Sequence, residues 1–240
     1  MSKTVLTLKN ATRLFSGGAG VNKANLTIKQ GEIVALVGLN GAGKTTLMKL
    51  ALGMLRPTSG IIQIVGQPVN PRTSSSVWAQ VGYFVDAPFV YPELTVTQNL
   101  DTMRSLQGVA DTDSIERAIT EFNLRQYADQ KARTLSLGNR QRVGLAMSFL
   151  HAPRLIILDE PTNSLDPSGV IALRQLLRQR AYEGAAILVS SHHLDEVARI
   201  ADRIVMMNRG EIIGELRSHG DDLERVFFER IHADDTRRGV

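Results

Sequence analysis

Residues Gly38-Leu39-Asn40-Gly41-Ala42-Gly43-Lys44-Thr45 fill the pattern G-x-x-x-x-G-K-[ST] completely, and no other stretch constrains the fold as tightly. The pattern needs a strand to feed it and a helix to leave it. Here Ile33-Val34-Ala35-Leu36-Val37 is a continuous apolar run, of the kind buried on both faces of a parallel sheet. After the loop, Leu47, Leu50, Ala51 and Met54 fall at i, i+3, i+4 and i+7, one apolar helical stripe. In that setting backbone N–H groups can curl around a β-phosphate, and the next helix adds the positive end of its dipole. Lys44 can then bridge β- and γ-phosphate oxygens while the Thr45 hydroxyl ligates Mg²⁺. The candidate nucleotide-binding set is Gly38, Asn40, Gly41, Ala42, Gly43, Lys44, Thr45 and Thr46. Stripped of its flanks, the same string is an ordinary strand-to-helix turn.

The rest of the chain alternates short apolar runs with helical patterns, the signature of an α/β fold with a mostly parallel sheet. Val5 to Lys9 alternates like a half-buried strand, and Leu26 to Ile28 runs into the turn Lys29-Gln30-Gly31. Further strands are expected at Gly60 to Gly66, Val81 to Val85, Leu155 to Leu158 and Ala186 to Val189. Helices are expected from about Thr97 to Phe122, Gly138 to His151 and Ser168 to Tyr182, with an amphipathic tail helix beginning near Asp222. Strand, helix, strand alternation demands right-handed crossovers. Residues 86–151 offer no convincing strand and are expected to form a helical lobe inserted into the sheet domain.

Composition narrows the class further. The 240 residues are 43% hydrophobic and 22% charged, a balance that folds rather than stays disordered. No run approaches the roughly 18 apolar residues that cross a bilayer, and the start MSKTVLTLKN lacks the layout of a secretory signal. With no cysteine there is neither a disulfide framework nor a thiolate metal site. Net charge is +4. Residues 1–60 hold eight Lys or Arg against Glu32 alone, leaving 20 basic and 23 acidic residues, a net −3, in the remainder. A cationic first quarter suits a polyanion, though by itself it fits a solvated surface equally well.

Leu155-Ile156-Ile157-Leu158-Asp159-Glu160 is an apolar strand ending in two acids. In a parallel sheet the carboxyl ends of the strands line one crevice, so Asp159 would emerge beside the phosphate loop and hold Mg²⁺ or its water. Glu160 would orient or deprotonate an attacking water. Alone, such acids are also ordinary solvated strand ends.

From end to end, over roughly residues 3 to 217, the chain resembles the ATP-binding subunit of ABC transporters. Leu135-Ser136-Leu137-Gly138-Asn139-Arg140-Gln141-Arg142 resembles the family's signature segment in its L-S-x-G-x-x-Q-R form, and Glu160-Pro161-Thr162-Asn163-Ser164-Leu165-Asp166 resembles the catalytic glutamate running into the D-loop. Ser190-Ser191-His192 resembles the switch histidine, and Phe15 stands where the family places the aromatic that stacks on adenine. Read alone, Ser136 is an ordinary helix N-cap, His192 a polar residue at a strand end and Phe15 a core aromatic.

The resemblance implies a P-loop NTPase core with an N-terminal antiparallel β-subdomain and an inserted helical lobe. Its divisions are 1–85 with 152–218 for the core, 86–151 for the helical signature lobe and 219–240 for a short helix and tail. It implies ATP and Mg²⁺ as cofactors, with Glu160, His192 and Lys44 catalytic and Thr45, Asp86 and Asp159 toward the metal. Ser136 and Gly138 would contact the γ-phosphate of a nucleotide held by the other subunit, and Asp166 would lie at the subunit interface, in a homodimer or pseudo-dimer with two composite sites. The resemblance further implies a separate transmembrane permease as partner rather than nucleic acid, and the cytoplasmic face of the membrane as location.

One position departs from the family. Val81-Gly82-Tyr83-Phe84-Val85-Asp86 carries an acid where most members have glutamine, and a shorter, anionic side chain would draw Mg²⁺ or water differently. Transporters that export lantibiotic-type peptides are similar in placing an acid there, which, with the tail, points to peptide or drug export. Two other classes compete. A non-transport ATPase of the same family acting on ribosomes or nucleic acid usually has two fused domains or long coiled coils, and a P-loop kinase gives the signature segment no task.

Overall fold

The computed structural model describes residues 3–86, 89–216 and 222–239. The hairpin of β1 (Thr4–Leu14) and β2 (Gly20–Lys29) comes first, followed by β3 (Ile33–Val37), α1 (Lys44–Ala51), β4 (Ser59–Ile64), β5 (Gln67–Pro68), the single-turn α2 (Ser75–Trp78) and β6 (Val81–Phe84). Three helices follow, α3 (Val96–Leu106), α4 (Asp113–Glu121) and α5 (Leu137–Phe149). The chain then runs through β7 (Leu155–Leu158), α6 (Pro167–Tyr182), β8 (Ala186–Ser191), α7 (Leu194–Ala198), the hairpin β9 (Arg203–Asn208) and β10 (Glu211–Leu216), and α8 (Leu223–Arg238).

Two sheets result. One is four-stranded and antiparallel in the order β2-β1-β4-β5; the other is six-stranded in the order β10-β9-β3-β8-β7-β6, parallel throughout except for the β9–β10 hairpin. The central strands are buried on both faces because the two-residue alternation of side chains feeds two separate cores. Val34, Leu36, Leu155, Ile157 and Leu188 pack with α1 and the antiparallel sheet. Ala35, Val37, Ile156, Leu158 and Ile187 pack with α3 to α8. Both sheets are thus anchored on the strand that leads into the phosphate loop.

Several expected boundaries shift. The helix expected over Thr97 to Phe122 is two helices, because the chain turns through Gly108 (φ +67°) between α3 and α4. Thr95 and Gln98 close a reciprocal capping box at the start of α3. Helix α1 ends at Ala51, so Met54 lies outside it and is 46% exposed, while Met48 takes its place in the core. The β9–β10 hairpin was not expected at all, although Ile204-Val205-Met206-Met207 precedes Asn208-Arg209-Gly210 and Ile212-Ile213 follows. Its two central residues, Arg209 (φ +45°) and Gly210 (φ +83°), both have positive φ, the geometry of a type I′ turn. The boundary expected at 218/219 lies outside the described residues.

Helix α8 extends to Arg238 and clamps that hairpin. The buried Asp234 carboxylate accepts from Asn208 Nδ2 (3.0 Å), Arg238 Nε (2.8 Å) and Arg237 Nη2 (2.5 Å). Burial pushes its carboxyl up, yet the hydrogen bonds from Arg237, Arg238 and Asn208 outweigh that and hold it below the usual Asp range. Asp234→Ala is expected to cost about 2 kcal/mol, a fall of roughly 4–8 °C in Tm for a chain of this size, read by thermal unfolding. Because the folded-state pKa is depressed, the contribution is complete at neutral pH and fades as pH falls below the ordinary Asp range. The gap between parent and variant should therefore close in acid.

Candidate functional site

The phosphate loop is braced from behind by the hairpin that the sequence pattern did not single out. Gly210 N–H donates to Ala42 O (2.8 Å) and Asn22 N–H donates to Gly210 O (2.8 Å). Gly43 has φ +104° and caps the start of α1, and a Cβ there would sit 2.6 Å from Gly20 O, so only glycine fits. No side chain caps α1, so its first-turn N–H groups are left for phosphate oxygens. Lys44 is 7% exposed, and its Nζ donates to Gly38 O (2.7 Å) and stands 3.8 Å from Glu160 Oε1. Asn40 and Gly41 are exposed, Ala42 is buried and Thr46 is half-buried.

Parallel register delivers the acids. Leu158 pairs with Val189, so Asp159 and Ser190 leave neighbouring strands side by side. Ser190 Oγ donates to Asp159 Oδ1 (2.6 Å) and Thr45 Oγ1 donates to Asp159 Oδ2 (2.5 Å). Glu160 takes a left-handed backbone (φ +48°), a conformation non-glycine residues hold only where their surroundings enforce it. Its N–H donates to Ser190 Oγ (2.8 Å), and its Oε2 lies 2.8 Å from His192 Nδ1. The Glu160 carboxylate is thus bracketed by His192 on one oxygen and Lys44 on the other. Ser190, which organises both acids, carried no assigned role in the sequence; only the strand register exposes it.

A second group forms around the start of α5. Ser136 caps that helix, accepting from Asn139 N–H (3.3 Å). A Cβ on Gly138 would lie 2.5 Å from Ser164 O, and Gln141 Nε2 donates to Pro161 O (2.8 Å), so the helix tip packs directly on the loop after Glu160. Asp166 stands at the N-cap position of α6 without capping it through its side chain, which pairs instead with Arg142, while Ser168 Oγ donates to its Oδ2 (2.5 Å). The Ser168 hydroxyl first, then the Arg142 guanidinium, keep its carboxyl below the usual carboxylate range. Among the described residues, no hydrogen bond or ion pair joins Ser136 or Gly138 to residues 38–46 of the same chain.

Phe15 is 40% exposed at the turn of the β1–β2 hairpin, with the Arg13 guanidinium 5.4 Å from its ring centre. Asp86 lies just past β6 with φ +67°, and its Oδ1 pairs with Lys49 Nζ at 2.9 Å rather than with Thr45 or Asp159. The described residues gather no group of three or more His, Asp and Glu side chains around one point. The converging Thr45 hydroxyl and Asp159 carboxylate suit a hard cation that takes most of its oxygen ligands from phosphate and water.

Residues 21–163 match the family described as ABC transporter. The chain is 36% identical over 236 residues to the uncharacterized ABC transporter ATP-binding protein YhcH of Bacillus subtilis, covering 98% of this chain and 74% of the relative. It is 33% identical over 214 residues to the bacitracin transport ATP-binding protein BcrA of Bacillus licheniformis (89% and 70% covered). With the lantibiotic transport ATP-binding protein SrtF of Streptococcus pyogenes it shares 34% identity over 228 residues (95% and 97% covered). Among solved structures, an ATP-binding subunit of an ABC transporter superposes with TM-score 0.85 at 28% identity, covering 97% of this chain and all of the other. A bacterial ABC transporter cassette solved as a dimer gives 0.79 at 26% identity, covering 90% and 99%.

Proposed function

The chain belongs to the ABC transporter family as an ATP-binding, ATP-hydrolysing subunit that works with a separate permease and forms dimeric cassettes, and on that premise we propose how its residues divide the work. The loop from Gly38 to Gly43, with Lys44, Thr45 and Thr46, holds the triphosphate, and Phe15 stacks on the base. Thr45 and Asp159 hold Mg²⁺, which when bound neutralises phosphate charge and orients the γ-phosphoryl group. Glu160 takes a proton from a water that attacks the γ-phosphorus; the bond to the β,γ-bridging oxygen breaks, leaving ADP and inorganic phosphate. His192 orients the Glu160 carboxylate and reaches toward the γ-phosphate, while Lys44 steadies the charge that builds on the departing oxygen.

One observation carries this reading: a single carboxylate, that of Glu160, stands between His192 and Lys44 beside the Thr45–Asp159 pair. The α5 tip supports the second half of the proposal. Ser136 and Gly138 have no bond to their own phosphate loop, so they serve the loop of a second copy, and Asp166 lies along that shared face. Residues 86–151 act as the lobe that presents this tip. Among the described residues no helix is long and apolar enough to cross a membrane; the chain sits against its permease on the cytoplasmic face. The bacitracin and lantibiotic relatives favour peptide export as its task.

The test is dimerisation. In a Glu160→Gln background, gel filtration with ATP and Mg²⁺ should show a dimer, and adding Ser136→Arg should abolish it while the single chain keeps its ATP affinity within about threefold. A Ser136→Arg chain that still dimerises on ATP overturns the composite site.

A further inference from the structure

Lys49 follows Thr45 by four residues on α1, so the two share one face of the helix a single turn apart. One level of that face carries the hydroxyl bonded to Asp159, and the next carries an ammonium. Across from it, β6 and β7 pair in parallel, with Phe84 opposite Leu158 and the Asp159 N–H donating to Phe84 O at 2.7 Å. Asp86 therefore emerges at the carboxyl end of the sheet, one strand over from Asp159. Its backbone is left-handed, which aspartate tolerates better than most residues, and its Oδ1 meets Lys49 Nζ at 2.9 Å.

From this placement we propose that Lys49 is a positioning residue, a latch that holds the Asp86 carboxylate against α1 and keeps it off the cation site formed by Thr45 and Asp159. The proposal rests on the assignment of those two residues to Mg²⁺. Both latch partners are partly exposed, Lys49 at 29% and Asp86 at 56% of their side chains, so solvent screens the pair and its pull on the site is modest. A glutamine at position 86 would leave Lys49 without its counter-charge; an aspartate is neutralised by it. With Lys49 removed, the carboxylate is free to turn toward the cation as one more hard oxygen ligand. Lys49 thus sets how tightly the loaded site grips its metal, and with it how readily the site loads and clears.

The experiment titrates Mn²⁺ into the ADP-loaded chain and reads free Mn²⁺ by electron paramagnetic resonance, with thermal unfolding to verify that each variant is folded. Lys49→Gln should tighten Mn²⁺ about fivefold, the scale on which one screened ion pair acts. In an Asp86→Gln background the same change should move Mn²⁺ affinity less than twofold. An unchanged or weaker affinity in Lys49→Gln, or an equal gain in both backgrounds, overturns the latch. Asp159→Asn provides the separate check: Mn²⁺ affinity within twofold of the parent would remove the underlying cation assignment, whatever Lys49 does.

Discussion

Glu160→Gln should bind ATP and then fail to release it as product, with steady-state hydrolysis down about 10²- to 10⁴-fold, the range removed with a general base. That factor corresponds to about 3–5 kcal/mol of lost transition-state stabilisation. Glutamine matches glutamate in size and can keep a hydrogen bond with His192 Nδ1, now 2.8 Å from Oε2, but it has no basic oxygen to take a proton from water. The ground state loses little. Lys44, the Gly43 turn and the Thr45–Asp159 pair are untouched, and the one charge removed is a carboxylate 3.8 Å from Lys44 that competes with phosphate for the ammonium. The variant should therefore accumulate as an ATP-bound dimer, visible by gel filtration and by retained radiolabelled ATP. Hydrolysis at the parental rate would strip Glu160 of its role as base.

What the sequence carried, and what it withheld, follows from the range of the interactions involved. The phosphate loop was legible because every element that makes it work is local: five apolar residues, eight loop positions and one helical stripe. Asp159 and Glu160 were legible as a strand end because Leu155 to Leu158 is a short apolar run. Their partners were not. Ser190 reaches Asp159 and the Glu160 N–H only because β7 and β8 lie in parallel with Leu158 opposite Val189, a register no local pattern specifies. The hairpin behind the loop was missed although its apolar run and Arg209-Gly210 turn were present, since its purpose appears only when Gly210 meets Ala42. The Lys49–Asp86 pair spans 37 positions and was likewise invisible: the acid at position 86 stood out as unusual, but nothing nearby in the chain named its counter-charge. Long helical patterns erred in the opposite sense, joining α3 and α4 across a turn that one glycine reverses.

The second large effect separates binding from chemistry. Lys44→Ala should weaken ATP binding by roughly 30-fold to 4,000-fold, since truncating one partner of a desolvated charge pair costs about 2–5 kcal/mol and each 1.4 kcal/mol is tenfold. The ammonium is almost fully buried, held by Gly38 O at 2.7 Å and reaching toward Leu39 O at 3.4 Å. The loop's own carbonyls thus keep it over the cradle, and a triphosphate meets a charge already in position. The fold owes that ammonium little. Leu39 O also accepts from the Ala42 N–H (3.0 Å), and Ala42 O from the Gly210 N–H of the β9–β10 turn (2.8 Å), so the loop is held without the ammonium and the thermal midpoint of Lys44→Ala should stay within a few degrees of the parent. Fluorescent-nucleotide titration beside thermal unfolding gives both readings. A Kd within threefold of the parent would mean that the backbone cradle alone holds the phosphates and that Lys44 acts only on the leaving group. In that case Lys44→Ala should trap ATP just as Glu160→Gln does, and gel filtration would show the two variants behaving alike instead of oppositely.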